Sequence, residues 1–193
     1  MEEHLYHGTS MENALNIVKT QYFEITSDNE NKKYLGTGAY FYFNFLDAIE
    51  WNNKVYWDNY HAFPSYNKLV NDFAIIETKL DLEKINVLNL DNREDIIKYK
   101  IIVKNIKEEL RTIEDYNDSH ELATIINYLY KKNLIDDIDA IQKTFPFPIP
   151  KSFGARNIQK TMICIKKIEI LSKFYLSTKI NIETYNKIKI LFT

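Results

Sequence analysis

A chain of 193 residues, 45% of them hydrophobic, carries enough apolar side chain for one folded domain, which excludes intrinsic disorder. The single cysteine, Cys164, excludes an internal disulfide and a cysteine-rich zinc site, and no apolar run reaches the roughly 18 residues of a membrane span. The net charge of −2 hides a division, with 13 Lys/Arg against 22 Asp/Glu in residues 1–130 and 12 against 5 in residues 131–193. The basic part suits a phosphate-rich partner and equally suits attraction to the acidic part. The start, Met1-Glu2-Glu3-His4, lacks the positive-then-apolar order of a signal peptide, so a cytoplasmic protein without membrane contact is expected.

In chain order, His4 to His7 reads as a short strand closing at Gly8. Ser10 caps a helix whose apolar positions are Ala14, Ile17 and Val18. Residues 24–33 are polar loop, and the aromatic run over 34–43 reads as a strand. Asp47 opens a helix through Ala48, Ile49 and Trp51, and strands are expected over 73–80 and 85–90. Residues 93–134 contain no Gly or Pro and repeat their Ile and Leu at helical spacing, so they form a helical insertion at about 93–140. Phe145 to Pro150 must be extended, and strands over 161–166 and 169–175 close the chain. Strands at both ends with helices grouped between them make the fold α+β, in a single domain spanning 1–193.

No Walker loop, dinucleotide glycine fingerprint or HExxH motif occurs. What stands out is Tyr6-His7-Gly8-Thr9-Ser10 paired with Leu35-Gly36-Thr37-Gly38-Ala39-Tyr40-Phe41, with Trp51 eleven residues beyond Tyr40. This arrangement resembles the catalytic domain of poly(ADP-ribose)-polymerase-like ADP-ribosyltransferases, and in particular their small bacterial toxin-type relatives. The resemblance implies a split antiparallel β-sheet core, NAD+ as co-substrate without a metal, and transfer of ADP-ribose. It covers most of the chain, with specific motifs only in residues 5–51.

Under that resemblance Tyr40 and Trp51 stack on the cationic nicotinamide ring, each contact contributing roughly 0.5–2 kcal/mol. Gly8 lets its backbone approach the carboxamide, His7 holds a ribose hydroxyl, and Thr9 or Ser10 reaches the adenosine ribose. Tyr42, assigned to the opposite strand face, is read as core, as is Cys164. His61 and His120 are read as solvated.

Many relatives carry a glutamate at the start of a late strand. Here that region reads Arg156-Asn157-Ile158-Gln159-Lys160-Thr161-Met162-Ile163, without a carboxylate. Gln159 is the nearest candidate for the third catalytic position beside His7 and Tyr40, and counting back from Ile163 gives Met162 instead. Gln cannot neutralise a cation, so transfer of a single ADP-ribose is expected rather than a polymer.

Lys151, Arg156, Lys160, Lys166 and Lys167 surround that position. Arg156 and Lys160 are the expected acceptor contacts, and a nucleic acid, RNA or DNA, is slightly favoured over protein as acceptor. The expected activity is thus a toxin-type mono-ADP-ribosyltransferase, with an antitoxin or immunity protein as partner. An NAD glycohydrolase and a non-catalytic NAD-binding module are the alternatives. The helices over 93–134 are expected to form a lid or an acceptor platform.

Overall fold

The structure, a computed structural model, describes residues 2–25, 34–106, 109, 121–147, 158–177 and 180–190. Its elements in chain order are β1 (Glu2–Ser10), α1 (Met11–Thr20), β2 (Ala39–Tyr42), α2 (Phe45–Tyr60), α3 (Tyr66–Asp72) and β3 (Phe73–Asp81). There follow β4 (Val87–Asn89), α4 (Arg93–Asn105), α5 (Glu121–Lys131), β5 (Ala140–Phe147), β6 (Ile158–Ile165), β7 (Tyr175–Leu176) and α6 (Ile182–Ile190). The result is an α+β fold around one open, mixed and mostly antiparallel sheet of order β4-β5-β6-β2-β1-β3-β7. Among the described residues, no helix is long and apolar enough to cross a membrane.

The two-residue period of a strand sorts the core between the sheet faces. Ala39 and Phe41 of β2 join Leu5, Ile163, Ile165 and, from α1, Ala14 and Ile17. Tyr40 and Tyr42 turn to the opposite face. There α2, α3 and α6 contribute Ala48, Ile49, Leu69 and Tyr185 around Tyr42, Ile75 and Met162. On the same face Ile106, at the C-terminal cap of α4, and Ile126 and Leu129 of α5 seat against Leu88, Ile141 and Cys164. Phe41 is wholly enclosed, a burial that stabilises by roughly 1.5–3 kcal/mol.

Among the described residues only β4 and β5 pair in parallel, and parallel neighbours need a long crossover. Helices α4 and α5 belong to that crossover, within the stretch expected to be helical, and the second of them ends at Lys131. Ala140–Phe147 is a strand that sequence reading missed, because Pro146 argues against a central strand. Pro146 sits near the end of β5, opposite Gln159. Residues 145–147 are extended as expected, while 148–150 and His120 lie outside the described residues. The strand expected over 34–43 shortens to Ala39–Tyr42, because Gly36 takes φ +75° in a preceding turn. Residues 168–170 form a 3₁₀ turn in place of a strand, and α3 and α6 were not anticipated. His61 is exposed, as expected.

Strand β1 pairs with β3 along all nine of its residues, but its ladder with β2 holds a single pair, Tyr6 with Tyr42. Past that pair the strands part, so the sheet is nearly divided between β2 and β1.

Candidate functional site

The division of the sheet exposes backbone. The Ser177 N–H donates to Ile75 O at 2.9 Å, so Ile75 turns its peptide groups toward β7. Gly8 is its antiparallel partner in the register, and both members of such a pair point their N–H and C=O outward. The Gly8 peptide groups therefore face β2, where the ladder has stopped. A side chain at Gly8 would point elsewhere, toward α2: its Cβ would stand 2.3 Å from Ala48 O and 2.7 Å from Asn52 Oδ1. The glycine is thus required by the packing of α2 on β1, a reason independent of any ligand.

His7 bridges the gap. Its Nδ1–H donates to the Tyr40 carbonyl at 2.7 Å. A carbonyl only accepts, so Nδ1 carries the proton and the Nε2 lone pair of the neutral ring is left as an acceptor. Phe23 meets the ring edge-on at 4.9 Å, and Phe41 lies at 5.7 Å. Burial holds the His7 pKa below its ordinary 6.5, and the Tyr40 carbonyl offsets this only in part.

A cavity of about 340 Å³ opens at this division. β1 contributes His7 and Thr9 to its walls, β2 with its leading turn contributes Gly38, Tyr40 and Tyr42, and α2 contributes Trp51. Asn13, Asn16 and Ile17 line it from one face of α1, at i, i+3 and i+4. After α1 the chain turns sharply at Gln21, a non-glycine residue at φ 56° whose side chain holds both peptide groups of Phe174, at 3.0 and 2.9 Å. That turn delivers Tyr22, Phe23 and Glu24 to the cavity rim. Glu24 is the one formally charged residue among the described lining, so the walls are aromatic and their charge is negative.

The structure therefore brings His7, Thr9, Tyr40 and Trp51 together. Ser10 is elsewhere engaged, its side chain accepting from Asn13 N at 3.2 Å as the cap of α1. The Tyr40 hydroxyl is also engaged, donating to Gly36 O at 2.6 Å and accepting from Leu35 N at 2.8 Å. Burial raises its pKa above the usual tyrosine value. What Tyr40 offers the cavity is its ring. Tyr42 corrects the face assigned from sequence: two residues after Tyr40 on a strand is the same face, and Tyr42 lines the cavity as well as being core.

The register separates the two residues weighed for a third catalytic position. Met162 pairs with Tyr42 and lines the cavity. Gln159 is exposed opposite Pro146, beyond the end of β2, and is not brought to the cavity. Arg156 and Lys151 lie outside the described residues.

Lys160 turns inward instead of presenting its ammonium to an acceptor. It is 3% exposed, hydrogen-bonded to Glu50 and 3.8 Å from Asp47. Desolvation raises the Asp47 pKa, and Lys160 counteracts it. The basic residues nearby are similarly engaged: Lys166 Nζ bonds Leu35 O at 2.8 Å, and Lys167 pairs with Asp139 at 2.6 Å. The Lys160 pairs join the basic and acidic parts of the chain. Glu50 and Asp47 gave no sequence signal, because only the strand register sets Lys160 beside them.

The class defined by fold and site is an α+β protein with a nearly divided sheet and an aromatic-walled cavity at the division. No protein-family model matches the chain, and no curated protein matches it.

Proposed function

We propose that this chain is an NAD+-dependent mono-ADP-ribosyltransferase of the toxin or effector type, with the split-sheet plan of the ADP-ribosyltransferases. The observation that carries the reading is the convergence of His7, Thr9, Tyr40 and Trp51, from β1, β2 and α2, on one cavity whose described lining takes in both neighbours of Gly8 but not Gly8 itself. Its volume of about 340 Å³ lies within the usual range of ligand pockets and suits the nicotinamide–ribose end of the dinucleotide.

In this reading the Gly8 N–H and C=O meet the carboxamide, which offers the complementary acceptor and donor. Tyr40 and Trp51 flank the pyridinium, whose positive charge favours aromatic faces. The His7 Nε2 accepts a ribose hydroxyl, and its neutral state at physiological pH keeps that lone pair available. When the bond between the ribose anomeric carbon and the ring nitrogen breaks, the nitrogen keeps the bonding pair and neutral nicotinamide leaves. The ribose develops oxocarbenium character, as in glycoside hydrolysis. An acceptor lone pair then closes on the anomeric carbon, and its proton passes to solvent. The acceptor is a macromolecule. The inward turn of Lys160, with Lys166 held by Leu35 O and Lys167 paired with Asp139, leaves the preference for nucleic acid resting on Lys151 and Arg156.

Met162 at the third position favours a second reading, a module that binds NAD+ without turning it over, since a thioether neither stabilises a cation nor orients a nucleophile. Both readings are tested by incubating the chain with adenylate-labelled NAD+ and a cell lysate, followed by separate nuclease and protease digestion. Label on a macromolecule supports transfer and names the acceptor class. Free ADP-ribose alone makes the chain an NAD glycohydrolase. Bound but intact NAD+ supports the module, and no binding removes the NAD+ reading altogether.

A further inference from the structure

We propose that Asn127 is a positioning residue of the cavity, and that the crossover helix α5 shapes the cavity wall through it without touching the ligand. The ligand-based part of the test rests on the NAD+ reading above.

The cavity wall between Tyr34 and Gly38 is a turn, and its peptide groups are held by side chains rather than by a ladder. Asn127 Oδ1 accepts the Thr37 N–H at 2.7 Å. The Tyr40 hydroxyl holds Gly36 O and Leu35 N from beneath. Lys166 Nζ donates to Leu35 O and Thr37 O, and lies 5.0 Å from the Tyr130 ring of α5. Gly36 is folded tightly around the amide: a Cβ there would stand 2.3 Å from Asn127 Oδ1, at a backbone φ of +75°. Helix α5 is itself fixed by Ile125, Ile126 and Leu129, in the same core cluster as Leu35 and Cys164.

Neither α4 nor α5 contributes a residue to the described cavity lining. Their contact is one step removed. Asn127 sets the turn, the turn sets Gly36 O for the Tyr40 hydroxyl, and that hydroxyl fixes the ring against the cavity.

The test compares Asn127→Leu, which keeps bulk but loses the acceptor, with Asn127→Asp, which keeps an acceptor oxygen. Amide hydrogen exchange over residues 35–40 and the Kd for NAD+ are read on each. For N127L, we expect faster exchange in that turn and NAD+ binding weakened roughly three- to tenfold, the value of one hydrogen bond. N127D should restore both, which a role in helix packing alone would not predict. In the wild-type chain, with no substitution required, the Thr37 amide should exchange as slowly as those of β2. Rapid Thr37 exchange in the wild type, unchanged exchange in N127L, or an N127D variant as impaired as N127L would each overturn the proposal. If wild-type protein binds no NAD+, the functional reading fails while the exchange measurements still decide the positioning role.

Discussion

Replacing Gly8 by alanine tests whether the packing of α2 on β1 builds the divided sheet. The new Cβ would lie 2.3 Å from a helix carbonyl, Ala48 O, and 2.7 Å from Asn52 Oδ1. The amide of Asn52 can rotate, but the carbonyl belongs to α2, whose Ala48 and Ile49 are fully buried, so the helix or the strand must shift. Overpacking of this kind costs about 1–3 kcal/mol, and contact with backbone puts Gly8→Ala near the top. Lower chain entropy in the unfolded state returns roughly 0.5–1 kcal/mol. The net loss of about 2 kcal/mol lowers the melting temperature by about 4–8 °C in a domain of this size. Urea unfolding followed by circular dichroism, together with thermal scans, measures it. A variant within about 0.5 kcal/mol of wild type, the range of a neutral surface substitution, would refute the reasoning.

Four further outcomes follow. Lys160→Met leaves the buried Glu50 carboxylate without its cation, and unfolding experiments should show a loss of about 3–5 kcal/mol, much of it recovered when Glu50→Leu is added. The lowered pKa of His7 means that the unfolded chain takes up the proton first. Stability from this group is complete above about pH 6.5 and is lost as pH falls below that value, so His7→Gln should flatten the acid side of the stability profile. Trp51→Ala removes one stacking face and should weaken NAD+ by about 0.5–2 kcal/mol in calorimetric titration, while Leu15→Ala, exposed and away from the cavity lining, leaves it unchanged. Incubation with NAD+ should yield single ADP-ribose units at most; long chains on a sizing gel would contradict the absence of a carboxylate at Met162.

Local chemistry made the first wall of the cavity legible. His7, Gly8 and Thr9 are contiguous, Ser10 is a cap with the next helix at hand, and Tyr40 and Trp51 announce themselves by residue type. Properties set by partners were not legible. Whether Gln159 or Met162 faces the cavity depends on β6 pairing with β2 at Met162 and Tyr42, a register fixed by long-range contacts. The burial of Lys160 depends on α2 lying over the same strand. Glu24 reaches the rim only because Gln21 takes a left-handed backbone, which its residue type does not signal. β5 was hidden because its proline argues for a break, while its pairing with β6 along eight residues outweighs one missing donor. Tyr42 was a different kind of miss, since strand periodicity alone places it beside Tyr40.

Release of nicotinamide from NAD+, followed chromatographically for wild-type protein and for His7→Ala and Trp51→Ala, tests the central claim most directly. The account predicts time-dependent nicotinamide with the wild type, sharply reduced in both variants while their folds persist by circular dichroism. Absence of nicotinamide release from a folded wild-type protein would contradict it.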